Sequence, residues 1–326
     1  MGFFRLQAAL LYCVLFVSSP ATSNSQTPSG STTISPNRVT QVWGDKAVRV
    51  YLERRSPCIA GDSCTRHALI FIHGLMGSSE TWKYGQTYWP ALLASDKAVD
   101  DFDIYRIDYE TGILTGASMY EVRGSLAGAM NAVPAMKSYE TIQFIAHSLG
   151  GNIVRDHLVY LKTQWGHGAL NQFRQMVLIG SPGEGSYLAT IPKLATNNPQ
   201  LRILVPHNKN DYLGLLNDTW RAMILKRGRA RCPTLSTMIA YEELPVPLMG
   251  IIVSKESATS SARDLSLLGH TNIRGFKRNH IDIVKPTGVD HPVYQWVKQG
   301  VVDCAEGHAG GPCPRVQELQ AFCRKL

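Results

Sequence analysis

Short apolar runs separated by polar, helix-like stretches organise the chain from Val48 onward. Val48 to Leu52, Ala68 to Ile72, Phe102 to Ile107, Ile142 to Ala146, Met176 to Ile179 and Met249 to Val253 read as strands. Ala68 to Ile72 is apolar at every position rather than at alternate ones, as a parallel-sheet strand covered on both faces requires. Strand and crossover alternate, which predicts an α/β protein with a mostly parallel central sheet flanked by helices. The excursion from Gly183 to Val246 breaks the rhythm. Its Leu188, Ile191, Leu194, Leu213, Trp220 and Met223 read as helix faces of an inserted cap. Such a cap either closes over a site as a water-excluding lid or simply covers the sheet.

Two of the strand ends carry candidate chemistry. Thr141-Ile-Gln-Phe-Ile-Ala-His-Ser-Leu-Gly-Gly151 runs from an apolar strand into a serine among small residues, followed by the helix-like Asn152 to Leu161. A sharp strand-to-helix turn would hold Ser148 Oγ clear of both elements, with a helix N-terminus beneath a developing oxyanion. Ala146 stands where G-x-S-x-G has its first glycine, which weakens the motif, and a helix-capping serine would look similar. The second strand end is Ala68-Leu-Ile-Phe-Ile-His-Gly-Leu-Met-Gly77, an apolar run closing in a glycine-rich turn. A loop there can supply one backbone N–H to an oxyanion hole and the residue after the nucleophile the other, here Leu75 and Leu149. His73 is expected to brace this loop rather than act as the base, and His147 to point away from Ser148 Oγ.

A serine nucleophile on this scaffold is followed in sequence by its acid and then by its histidine. His280, in Arg278-Asn-His-Ile-Asp-Ile-Val-Lys-Pro286, is the candidate base. Glu256 lies just beyond the Met249 to Val253 run and is favoured as the acid; Asp264 is its competitor. Asp282 is expected to set the His280 loop or to face solvent.

These segments, together with His73-Gly-Leu-Met-Gly-Ser-Ser-Glu-Thr-Trp82 and Leu178-Ile-Gly-Ser-Pro182, resemble the α/β-hydrolase superfamily, and within it the secreted lipase-like and inositol-deacylase-like serine esterases. The resemblance covers about Ala68 to Gln299. It implies an α/β-hydrolase fold and a serine carboxylic-ester hydrolase working through an acyl-enzyme, without cofactor or metal. The branch's acid falls on Glu256, where glutamate replaces the usual aspartate, and its base on His280. The branch's threonine-proline-x-x-glycine-serine turn is altered here to Ser181-Pro-Gly-Glu-Gly-Ser186. An acyl-ester or lipid substrate follows from the resemblance and from the apolar excursion. The competing readings are a small-ester esterase, a glycan deacetylase, and a catalytically inactive hydrolase fold serving as a binding protein.

With 326 residues and 44% hydrophobic composition, the chain can bury one full-sized core. Arg5 followed by the apolar run Leu6 to Val17 reads as a secretory signal peptide, too short to span a membrane comfortably; an uncleaved N-terminal anchor is the alternative. The expected organisation is a signal at 1–23, a flexible leader at 24–44, a catalytic domain at 45–303 with its cap at 183–246, and a cysteine-containing tail at 304–326. Six cysteines remain after the signal: 58, 64, 232, 304, 313 and 323. Their even number suggests disulfides and a secreted or periplasmic location. Cys58 and Cys64 are expected to close a small loop, and two of the three tail cysteines to pair while the third reaches Cys232. Net charge is +8, with a basic run Lys226-Arg-Gly-Arg-Ala-Arg231. No nucleic-acid module accompanies it, so a solvated face is expected first and transient association with an anionic membrane surface second.

Overall fold

The computed structural model describes residues 39–57, 66–112, 116–186, 198–205, 211–229, 235–262, 271–307 and 313. In chain order the strands are β1 (Thr40–Gly44), β2 (Val48–Arg54), β3 (His67–Ile72), the short hairpin β4 (Lys83–Tyr84) and β5 (Thr87–Tyr88), β6 (Phe102–Tyr109), β7 (Thr141–His147), β8 (Phe173–Ile179), β9 (Ser236–Glu242) and β10 (Thr271–Phe276). The helices are α1 (Trp89–Ala94), α2 (Met119–Ala132), α3 (Leu149–Trp165), α4 (Pro199–Ile203), α5 (Asp211–Arg229), α6 (Lys255–Thr259) and α7 (Pro292–Glu306). Eight strands form one sheet in the order β1-β2-β6-β3-β7-β8-β9-β10. β1, β2 and β6 pair antiparallel, and from β6 to β10 every pairing is parallel.

The consecutive apolar positions have a direct structural cause. In β3, Ala68, Ile70 and Ile72 face one core, which takes in Leu126 of α2, Ile153 and Leu158 of α3, and Trp220 and Met223 of α5. Leu69 and Phe71 face the other, with Trp82, Trp89 of α1 and Val293 and Val297 of α7. Each buried aliphatic or aromatic side chain contributes about 1.5–3 kcal/mol, and because both faces are covered no position from Ala68 to Ile72 tolerates a polar residue cheaply.

Five of the six expected strands form. The sixth does not: Met249 to Val253 is turn and bend, and its one ladder-type pairing among the described residues is an isolated bridge between Val246 and Gly250. The backbone turns here with positive φ at Leu248 (67°) and Gly250 (78°), closed by the Met249 and Gly250 N–H groups on the Val246 carbonyl, which is not an extended strand conformation. The sheet strand lies earlier, as β9, inside the stretch expected to be cap, so an insertion running from 183 to 246 is too long by that strand. β10, Thr-Asn-Ile-Arg-Gly-Phe, carries no apolar run that would mark it as a strand. β1 lies in the stretch 24–44 expected to be a flexible leader and pairs with β2 of the domain, and Cys304 belongs to α7 rather than opening a separate tail.

Cys304 is bonded to Cys313, as expected of two tail cysteines. Cys58, Cys64, Cys232 and Cys323 lie outside the described residues, as do residues 1–23, expected to be a signal peptide, and Leu188, Ile191 and Leu194. Within α5, Trp220, Met223 and Ile224 join the main core, so this helix covers the domain. In the basic run, Arg227 is buried and donates to the carbonyl of His167 at 2.6 Å, so that run is not one solvated face.

Candidate active site

β7 ends at His147 and α3 begins at Leu149, leaving Ser148 alone in the corner with φ 51° and ψ −124°. A side chain in this region costs about 1–3 kcal/mol, and neighbouring structure must hold it there. Here the Ser148 N–H donates to the Ile179 carbonyl of β8 at 2.9 Å, and the Ser148 carbonyl accepts from Gly151 N–H at 3.0 Å. The corner also needs close approach of α3 to β3. A Cβ on Gly150 would stand 2.5 Å from the His73 carbonyl oxygen and 2.6 Å from that of Ile72. Ala146, in the position where the motif has glycine, is an ordinary buried residue of β7.

His280 lies 3.1 Å from Ser148 Oγ through Nε2. Its Nδ1 lies 2.7 Å from Oε2 of Glu242, the last residue of β9. The second carboxylate oxygen, Oε1, accepts from the N–H groups of Ile252 at 2.9 Å and Val253 at 2.8 Å. All three side chains are buried. The β8 end makes room for the acid–base contact: Gly180 has φ 56°, and a Cβ there would sit 3.0 Å from the imidazole and 3.2 Å from Glu242 Oε2.

The carboxylate beside His280 is therefore neither of the two expected. Glu256 is exposed in the first turn of α6, where its own backbone N–H, followed by the Ser254 hydroxyl, holds its carboxyl below the usual range. Asp264 lies outside the described residues. Glu242 does stand at a strand end, but the strand is β9. Met249 to Val253, expected to be that strand, instead gives its last two N–H groups to the Glu242 carboxylate. The signal that could have found Glu242 is the run Leu235-Ser-Thr-Met-Ile-Ala-Tyr-Glu242, strand-like and ending in a carboxylate.

The His280 loop is set from several sides. Glu243 and Leu244 donate to the Arg278 carbonyl, which ties the end of β9 to the segment after β10. Asn279 caps the N–H groups of Ile281 and Asp282, and its Nδ2 donates to Asp282 at 2.7 Å. Asp282 thus sets this loop, one of the two roles expected of it. His147 Nε2 lies 3.0 Å from the His280 carbonyl, so this imidazole holds the backbone at His280. Burial, and secondarily the nearby His280, keep His147 neutral well below the usual histidine range.

The loop after β3 forms a tight turn in which Gly77 N–H donates to the Gly74 carbonyl at 3.1 Å. His73 Nδ1 meets the same carbonyl at 2.9 Å, and its ring stacks on Tyr109 with centroids 4.5 Å apart. This is a brace, and burial, partly opposed by Asp108, lowers the His73 pKa. Leu75 stands within this turn and Leu149 is the first residue of α3; among the described residues no hydrogen bond occupies either N–H.

A serine at a strand-to-helix corner, a histidine from a loop beyond the last strand and an acid at a strand end surround one edge of a mostly parallel sheet. The chain has the α/β-hydrolase fold. Residues 62–181 match the family described as "Putative serine esterase (DUF676)", a span that holds the elbow and the β3 turn but ends before Glu242 and His280. Among solved structures of this fold, the mature lipase BlEst2 of Bacillus licheniformis superposes with a TM-score of 0.50 at 16% identity, over 74% of this chain and 96% of the lipase. Phospholipase PlaB of Legionella pneumophila gives 0.52 at 12% identity, over 81% of this chain and 62% of PlaB. No curated protein matches by sequence. Among the described residues no group of three His, Cys, Asp or Glu side chains is arranged to hold a metal ion, and no helix is long and apolar enough to cross a membrane.

Proposed function

We propose that the protein is a serine carboxylic-ester hydrolase of lipase or phospholipase type. The observation that carries this reading is the continuous contact from Ser148 Oγ through His280 to Glu242, buried at the edge of a hydrolase-fold sheet. His280 Nε2 takes the hydroxyl proton as Oγ attacks the ester carbonyl, and Glu242 stabilises the imidazolium through Nδ1. The N–H groups of Leu75 and Leu149 receive the oxyanion. The tetrahedral intermediate collapses with loss of the alcohol, which takes the proton from His280. Water then attacks the acyl-enzyme, giving its proton to His280, and the carboxylic acid leaves as Ser148 is reprotonated. No cofactor or metal enters these steps.

An acyl-lipid substrate is supported by the loop between β9 and α6. Leu244, Leu248 and Ile251 are 47%, 68% and 37% exposed on the segment whose end anchors Glu242, and the exposed Lys255 and Arg278 flank them. Apolar side chains beside basic ones suit transient contact with an anionic lipid surface. The lipase and phospholipase among structures of the same fold accord with this choice. The N-terminal signal pattern supports export to a secreted or periplasmic location.

The test is a p-nitrophenyl ester series from acetyl to long acyl chains, with fluorophosphonate labelling mapped by peptide mass. Labelling at Ser148 and a preference for medium or long chains are expected. A preference for acetyl would assign a small-ester esterase or glycan deacetylase instead. Absence of both turnover and labelling would leave a binding protein on a hydrolase fold.

A further inference from the structure

The oxyanion turn is fastened on its outer side by residues that the reaction itself does not use. Met76 follows Leu75 with φ 57°, a conformation that favours glycine. Its N–H donates to Thr111 Oγ1 at 3.0 Å. The Thr111 hydroxyl in turn donates to Gln200 Oε1 at 2.7 Å. Gln200 belongs to α4, in the excursion between β8 and β9, and is fully buried. Its Nε2 donates to the carbonyls of Glu110 at 2.8 Å and Ala117 at 2.9 Å. Asn198 caps the same short helix through Gln200 N–H and reaches the Gly112 carbonyl at 2.6 Å.

This pattern fixes a direction. In a trans peptide the C=O and the following N–H point oppositely. The Gly74 carbonyl is held by Gly77 N–H and by His73, so the Leu75 N–H is turned to the other side. The next peptide is held by Met76 N–H on Thr111. Two successive peptide planes around Leu75 are therefore immobilised, one by bonds within the turn after β3 and one by Thr111, which Gln200 of the excursion holds. Without Thr111, the strained Met76 conformation loses the bond that supports it, and the 75–76 peptide is free to rotate.

We propose that Thr111 and Gln200 are positioning residues for the oxyanion hole, coupling the segment after β8 to the Leu75 N–H. This rests on the esterase reading. Because the oxyanion develops only in the transition state, loosening its donor lowers kcat and leaves KM little changed. Loss of an aligned donor costs about a hundredfold to a thousandfold, and misalignment by a mobile turn a share of that, about tenfold or more.

The experiment uses the full chain bearing Thr111→Val, Thr111→Ser and Gln200→Met. It measures ester kcat and KM, the rate of phosphonate inactivation, thermal melting, and amide hydrogen exchange across residues 74–77. Thr111→Val is expected to lower kcat and the inactivation rate together, with KM and melting nearly unchanged and faster exchange at 74–77. Thr111→Ser should restore all of these, and Gln200→Met should resemble Thr111→Val in kcat, inactivation rate and exchange, with a lower melting temperature because the Glu110 and Ala117 carbonyls also lose their donor. Wild-type protein inert to phosphonate would overturn the esterase reading alone, since exchange still reports the clamp. Thr111→Val with kcat within twofold of wild type, or with exchange at 74–77 unaltered, would overturn the positioning role alone.

Discussion

Glu242→Gln tests whether the carboxylate in contact with His280 serves as its acid, in place of those suggested by sequence. Glu242 Oε1 takes two N–H bonds and Oε2 takes the imidazole Nδ1, so both oxygens act as acceptors. Glutamine keeps the shape but replaces one acceptor by an NH2 donor. If its oxygen stays on Ile252 and Val253, its NH2 faces His280 Nδ1 and selects the tautomer protonated on Nε2, which cannot take the Ser148 proton. If the amide flips, two backbone donors are left facing a third. The first arrangement is the less costly, and wrong-tautomer substitutions of this kind in serine hydrolases lower kcat about a thousandfold to ten-thousandfold, or about 4–5.5 kcal/mol of transition-state stabilisation. Steady-state hydrolysis of a p-nitrophenyl ester, alongside thermal melting, measures this. KM should change little and the melting temperature by a few degrees at most. Glu256→Gln, at an exposed position away from His280, should keep kcat within twofold. A Glu242→Gln protein within tenfold of wild-type activity, with Glu256→Gln or Asp264→Asn inactive and still folded, would refute the assignment.

Gly180→Ala adds a Cβ at positive φ and 3.0 Å from the base, so activity should fall at least about tenfold with a lower melting temperature; an active, equally stable variant would show that the β8 turn relaxes freely. His157 is buried with neither ring nitrogen partnered among the described residues, and burial lowers its pKa to about 3. Its folded pKa lies below the unfolded value near 6.5, so the unfolded chain binds the extra proton: stability is full above about pH 6.5 and is lost as pH falls toward 3, by about 2 kcal/mol at pH 5. Urea unfolding at pH 7 and pH 5 should show a smaller loss for His157→Phe than for wild type, and equal losses would refute this. Leu248→Asp should reduce binding to anionic vesicles while preserving turnover of a short soluble ester; unchanged vesicle binding would count against the lipid-surface role of that loop.

The sequence alone determined the features that local pattern controls. Runs such as Ala68 to Ile72 are apolar at every position because both faces of the sheet are covered, so five strands could be placed by inspection. Small residues around Ser148 marked the elbow because α3 must press against β3, and the glycine-rich turn at Leu75 marked the loop beside it. His280, between an apolar stretch and a proline, was also legible. The tertiary structure decided which carboxylate meets it. Apolar runs report burial, not pairing: Met249 to Val253 has a strand's composition without its ladder, whereas β9, with serine and threonine at its start, lies in the stretch whose pattern predicts cap. Its place beside β8 depends on a ladder formed between segments far apart in the chain. Only that ladder carries Glu242 to the edge where His280 returns, and only folding turns Ile252 and Val253 from apparent strand residues into donors to the acid. The same holds for Thr111 and Gln200, which are ordinary polar residues until the chain brings α4 against the loop after β6.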